Sequence, residues 1–161
     1  MGDIKQYYLQ PGFIYVSKDN YLINTVLGSC ISVCIWDCEL NFGGMNHYIY
    51  SRDKCGERNA KFGDVSTPYL IKLMREYGSE IKNLRAHVVG GGFNPELGSK
   101  IGDENSEIAI EILKAYNIII VTKDLGEATG RKVIFNNSNG EILVYKGINV
   151  RRSDWYNDNT K

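Results

Sequence analysis

The residues of this chain best suited to covalent chemistry are Cys30 and His47. Cys30 closes Leu27-Gly28-Ser29-Cys30, a tight small-residue turn at the mouth of the apolar run Ile31-Ser32-Val33-Cys34-Ile35-Trp36-Asp37. A thiol of ordinary pKa, about 8.5, is only partly ionised at neutral pH, and a neighbouring imidazole lowers that value and accepts the proton. His47, one of two histidines in the chain, ends Gly43-Gly44-Met45-Asn46-His47, and two strands joined by a reversal would bring it beside the turn. The paired glycines let two backbones or a substrate come close. A sharp turn at Gly28-Ser29 exposes N–H groups that can line an oxyanion hole, and a protonated imidazole can hand its proton to a leaving amine. The pattern therefore predicts a cysteine hydrolase with Cys30 as nucleophile and His47 as base.

Plainer readings compete with it. A free cysteine is most often a small buried core residue, and a strand histidine is most often a hydrogen-bonded structural group. His87, in Arg85-Ala86-His87-Val88-Val89, is the rival base but reads as an ordinary alternating strand position. Cys30, Cys34 and Cys38 recur every four residues, which on a strand sets neighbouring thiols about 13 Å apart, too far to share a metal ion. Cys34 and Cys38 are then expected as core or near-surface thiols, and Cys55 as a loop thiol. Gly90-Gly91-Gly92 and Gly98-Ser99-Lys100 lack the spacing of a phosphate-binding P-loop, so these glycines are expected in a loop passing close to the active site. Arg131-Lys132 reads as a solvated strand start, with a recognition patch as the alternative.

The elements that must position these residues follow from pattern. Extended runs are expected at 13–16, 21–26, 31–36, 43–50, 84–89, 118–122, 131–136 and 141–145, with turns at Pro11-Gly12, Lys18-Asp19-Asn20 and Asn137–Gly140. Residues 51–63 lack periodicity and read as a surface loop, as do 93–100. A helix is expected from a Ser66 or Thr67 cap, with Pro68 at its first position, an apolar stripe of Leu70, Leu73, Met74 and Tyr77, and a stop at Gly78. A second helix spans 103–117, burying Ile108, Ile112 or Ala109, Leu113 and Tyr116. Uneven alternation of about eight strands and two helices predicts an α+β fold with mixed sheets rather than a doubly wound one.

Length and composition set the frame. The chain has 161 residues, 43% hydrophobic and 24% charged, within the range of one ordinary globular domain with a core of its own. Nineteen basic and nineteen acidic residues cancel, leaving no bulk attraction to nucleic acid or membrane. No stretch approaches the roughly 20 apolar residues of a membrane span. The opening Met-Gly-Asp-Ile-Lys-Gln lacks the plan of a signal peptide, and Gln6 leaves a myristoylation pattern incomplete. Four cysteines in such a chain are expected as free thiols in the cytoplasm.

With those residues in view, the chain resembles the CheD family of chemoreceptor glutamine deamidases over about 15–145. The likeness is carried by Leu27–Cys34, Gly43–His47, Gly90-Gly91-Gly92, Ile101-Gly102-Asp103-Glu104-Asn105, and Asp124-Leu125-Gly126 with Gly130-Arg131-Lys132. The resemblance implies that Cys30 attacks a receptor glutamine carboxamide, that His47 activates the thiol and protonates ammonia, and that water releases glutamate from a thioester. It implies a third catalytic residue just upstream of the turn, for which Thr25 is the natural candidate and Asn24, one place earlier, the alternative. Ser29, Asn46, Gly91 and Gly92 are the implied substrate-binding positions.

The same resemblance implies a single deamidase domain over 1–161 with a core at about 13–146 and a polar tail at about 151–161. It implies a layered α/β sandwich similar to the catalytic domain of the cytotoxic necrotizing factor toxins. Cytoplasmic chemoreceptor helices are the implied substrate and a CheC-type phosphatase the implied partner; the chemistry calls for no metal or organic cofactor. The chain departs from the family pattern at Phe93-Asn94-Pro95 and at Glu127, both in loops bordering the site or a partner surface. Two other readings stand beside this one: a regulatory binding module with little turnover, and a cysteine esterase acting on receptor glutamyl methyl esters.

Overall fold

The computed structural model describes residues 3–96 and 100–147. The expected positions 98–99 and the tail at 151–161 lie outside the described residues. Two mixed β-sheets pack face to face, and two helices cover the outer face of one of them.

The first sheet has the order β1 (Lys5–Tyr8), β3 (Tyr21–Leu27), β8 (Gly130–Asn136) and β9 (Ile142–Gly147), with β1 parallel to β3 and the other pairs antiparallel. The second has the order β2 (Ile14–Ser17), β5 (Phe42–Asn46), β4 (Ile31–Asp37), β6 (Leu84–Gly90) and β7 (Ile119–Leu125), with only β6 and β7 parallel. The helices α1 (Gly63–Glu76) and α2 (Ile101–Ala115) pack on this second sheet. Among the described residues no helix is long and apolar enough to cross a membrane.

Strand β4 explains the layering. All seven of its residues are buried, because it is central in a sheet covered on both faces. Ile31, Val33 and Ile35 face the helices, packing with Leu70, Ile71, Met74, Ile108 and Leu113. Cys30, Cys34 and Trp36 face the other sheet and share a core with Ile23, Leu27, Val133 and Phe135. The period of two thus divides one strand between two cores. The chain passes from the first sheet to the second through 28–30, so the Leu-Gly-Ser-Cys turn bridges the two sheets at their edge.

Several expectations are corrected. Strand β1 has no counterpart among the expected extended runs; its four residues are mostly exposed, which hides it from an apolar pattern. Strand β5 ends at Asn46 instead of running to Tyr50, because the Asn46 side chain takes the Val33 N–H at 2.7 Å in place of a ladder carbonyl. Pairing resumes only at an isolated Ile31–Tyr48 bridge. Helix α1 starts at Gly63, its first N–H groups donating to Tyr50 O and Ser51 O at 2.7 and 2.9 Å, so no Ser or Thr cap is needed. Pro68 therefore sits inside the helix, and Ser66 and Thr67 are buried.

Gly78 stops α1 as expected: at φ +110°, it and Ser79 donate to Arg75 O and Met74 O, the double bond of a Schellman close. Tyr77 and Tyr116, expected inward, are exposed because each lies past the last packed turn of its helix; Ile71 and Ala109 take the buried places. Arg131, expected as a solvated strand start, is fully buried. Its guanidinium donates to Asp124 Oδ1 at 3.0 Å, Gly126 O at 2.8 Å and Thr129 O at 3.3 Å, pinning the loop between β7 and β8.

Candidate active site

Register brings Cys30 and His47 together. Ile31 and Tyr48 exchange both backbone hydrogen bonds, at 3.1 and 3.0 Å, so the residues flanking this pair, Cys30 and His47, are diagonal neighbours. Such diagonals sit about 7 Å apart at Cα. Both lie at the edge of the inter-sheet layer, Cys30 6% and His47 1% exposed. His47 is held along its backbone too, by Gly12 N–H to its carbonyl at 2.7 Å and by its own N–H to Phe13 O at 3.1 Å.

The third member comes from the opposite sheet. Thr25 projects inward from β3, 1% exposed, and its Oγ1 lies 2.7 Å from His47 Nδ1 and 2.9 Å from Leu9 O. A hydroxyl has one proton, and a carbonyl can only accept, so Thr25 donates to Leu9 and accepts from His47 Nδ1–H. The neutral imidazole then carries its lone pair on Nε2. Asn24 points the other way, its amide donating to Gln6 and to Leu22 O, so the threonine and not the asparagine reaches the histidine. Leu9, whose carbonyl fixes the hydroxyl, was invisible in the sequence: it contributes a backbone atom, placed by Leu9 N–H bonding to Asn24 O at 2.8 Å.

His87 is elsewhere. It pairs with Cys34, four residues along β4 from Cys30, or about 13 Å. Its ring stacks on Trp36 at 4.4 Å and its Nε2 meets Gly140 O at 2.6 Å. Burial holds its pKa below the ordinary value despite that carbonyl. Burial likewise pushes the Cys34 thiol well up, making it an inert core group, while Cys38 and Cys55 are exposed.

Three carbonyls of the nucleophile turn are each held from outside. Gly92 N–H donates to Gly28 O and Gly91 N–H to Cys30 O, both at 2.9 Å, while Asn105 Nδ2 donates to Ser29 O at 3.0 Å. The glycine loop thus passes the site, and its N–H groups are committed to shaping the turn. Gly90 must lack a side chain: at φ +119° a Cβ would sit 2.2 Å from Cys30 O.

Asn46 is fully buried, and its amide is engaged by Val33 N–H and, at 3.1 Å, by Thr67 Oγ1 on α1; it anchors the strand end that carries His47. Ser29 is 7% exposed beside the nucleophile. Tyr48 stays neutral, its pKa raised by burial and then by repulsion from Cys30 when that thiol is ionised, and its hydroxyl donates to Asn105 O. The two departures from the family pattern meet here, Phe93 N–H donating to Glu127 O at 2.8 Å.

Fold and site together define an α+β protein of two mixed sheets and two helices with a thiol, an imidazole and a hydroxyl gathered at one edge. Comparison with known proteins gives the family. Residues 49–146 match the family model described as CheD chemotactic sensory transduction. A protein of Trichlorobacter lovleyi called probable chemoreceptor glutamine deamidase CheD is 34% identical over 148 residues, covering 89% of this chain and 92% of that protein. Proteins of the same description from Sulfurimonas denitrificans and, as CheD 1, from Anaeromyxobacter dehalogenans are 33% and 37% identical. These alignments cover 85% and 89% of this chain, and 91% and 85% of those proteins. The chain belongs to the CheD family.

Proposed function

We propose that this protein deamidates glutamine side chains of chemoreceptors through a thioester on Cys30. The observation that carries the reading is the Leu9–Thr25–His47 relay, which assigns the Nδ1–H tautomer and leaves Nε2 as the base on the Cys30 diagonal. The names of the relatives supply the substrate class.

In this mechanism Nε2 takes the Cys30 proton, and the thiolate attacks the carboxamide carbon. Thr25 Oγ1 supports the resulting imidazolium by accepting from Nδ1–H. The imidazolium then gives its Nε2 proton to the departing ammonia as the C–N bond breaks. Water, deprotonated by the same Nε2, cleaves the thioester to glutamate and returns the thiol. Ser29 flanks the nucleophile on the substrate side, while Asn46, Gly91 and Gly92 act through the backbone they hold.

Around this core stand coarser extensions of the same reading. The chain is one deamidase domain working in the cytoplasm on the helical receptor tails, with a CheC-type phosphatase as partner. The two packed sheets with helices on one face support kinship with the cytotoxic necrotizing factor catalytic domain, which backbone superposition tests. The catalytic reading is tested by mass spectrometry of a receptor cytoplasmic fragment treated with wild type, Cys30→Ala or His47→Ala. Each glutamine converted by wild type gains about 1 Da, and neither variant produces the gain. An equal gain with Cys30→Ala would sink the mechanism.

A further inference from the structure

Asn105 belongs to a motif that the catalytic triad leaves unused, yet it is fully buried and touches the site from three directions. Its Nδ2 donates to Ser29 O at 3.0 Å and to Ile49 O at 2.8 Å, and its backbone carbonyl accepts from the Tyr48 hydroxyl. Because both acceptors of Nδ2 are carbonyls, the amide has one orientation. The residue is fixed in turn by α2, whose Gly102 lies so close to the glycine loop that a Cβ there would sit 2.4 Å from Gly91 O and 2.6 Å from Gly92 O.

The consequence follows from peptide geometry. Among the described residues no peptide bond is cis, and in a trans peptide the C=O and N–H point in opposite directions. The Cys30–Ile31 peptide illustrates this, its carbonyl held by Gly91 and its N–H by Tyr48 O across the strand. For the Ser29–Cys30 peptide the carbonyl is held by Asn105 on α2, so in the trans peptide the Cys30 N–H is directed away from Asn105. A rotated peptide would turn that donor away from any oxyanion formed on the Cys30 thioester path.

We infer that Asn105 is a positioning residue that locks the Ser29–Cys30 peptide so that the Cys30 N–H serves as an oxyanion-hole donor. The inference rests on Cys30 being an acyl-forming nucleophile, as read above. His47 itself is held by Thr25, Phe13 and Gly12, and none of these contacts involves Asn105.

The two kinds of thiol chemistry separate this role from general support. Alkylation of Cys30 by iodoacetamide displaces iodide at a saturated carbon and forms no oxyanion. Acylation by p-nitrophenyl acetate passes through a tetrahedral oxyanion, the thiolate adding to the carbonyl and p-nitrophenolate leaving. Wild type, Asn105→Ala and the volume-retaining Asn105→Leu are compared at the Cys30 peptide, each at a temperature where circular dichroism shows it folded. The expected result is acylation slowed about 100-fold with alkylation changed less than about twofold, and receptor deamidation losing kcat with KM unchanged. Acylation and alkylation falling together, acylation left unchanged, or a wild type that does not acylate would each overturn the inference. A wild type that acylates with the expected Asn105 dependence but leaves receptors untouched would refute the proposed substrate and leave the inference standing.

Discussion

Replacing Thr25 by valine keeps its shape and removes one oxygen, and the structure says what that oxygen does. It accepts from His47 Nδ1 at 2.7 Å and donates to Leu9 O at 2.9 Å, in a place only 1% exposed, so no water substitutes for it. In the reaction the histidine becomes an imidazolium, and a hydrogen bond to a charged group contributes about 1.5–3 kcal/mol. At about 1.4 kcal/mol per decade, its loss lowers kcat roughly 10- to 150-fold. The fold also loses, because the Leu9 carbonyl and the imidazole N–H are left unpaired at about 1–3 kcal/mol each. For a domain of this size that lowers Tm by roughly 5–15 °C. Thr25→Ser retains the oxygen and sacrifices only a methyl, and it keeps kcat within about threefold. The assay is a single-turnover time course of glutamine-to-glutamate conversion in a receptor fragment, with melting curves for all three proteins. A folded Thr25→Val enzyme with kcat within about twofold of wild type would refute the relay.

Other outcomes follow from the packing of His87, Gly102 and Arg131. The folded-state pKa of His87 lies below its ordinary 6.5, so the unfolded chain takes up this proton first. The stability the group contributes is then fully present above 6.5 and is lost as pH falls from there through the folded value. Melting curves between pH 7.5 and 5.5 therefore decline less for His87→Phe than for wild type. Gly102→Ala, which by helix propensity alone would stabilise, instead drives a Cβ onto two backbone carbonyls. It costs about 1–3 kcal/mol in denaturant unfolding and lowers activity with it. Arg131→Met strips the guanidinium from Asp124 and two loop carbonyls. The loss in urea unfolding is about 3 kcal/mol, the low end for a broken buried pair, because Lys146 stays 3.0 Å from Asp124.

What the sequence yields and what it withholds divide along physical lines. The β-branched run at 31–36 and the glycine at 78 were readable because period and backbone freedom are local properties. The nearness of Cys30 and His47 in the register was readable because a reversal between two apolar runs constrains which residues can meet. Thr25 against Asn24 was not decidable: neighbours on a strand face opposite sides, and only the presence of a sheet on the inner side selects the threonine. Leu9 left no mark, since any residue supplies a carbonyl. The start of α1 was misplaced because its N–H groups are satisfied by a distant backbone segment, and Arg131 was misread because its acceptors lie in another strand and loop. The duty of Asn46 in the fold, holding a strand end by replacing a ladder carbonyl, left no mark in its motif.

The central claim is a covalent bond between Cys30 and the substrate carbonyl, and rapid acid quenching addresses it most directly. Enzyme in excess over a glutamine-bearing receptor fragment is quenched within the first turnover, digested at low pH and mapped by mass spectrometry. The account predicts the Cys30 peptide joined to the substrate peptide with the mass of one ammonia missing, an adduct cleaved by hydroxylamine and absent from Cys30→Ala. Conversion of glutamine to glutamate by Cys30→Ala at the wild-type rate, with no adduct at Cys30 in the wild type, would contradict it.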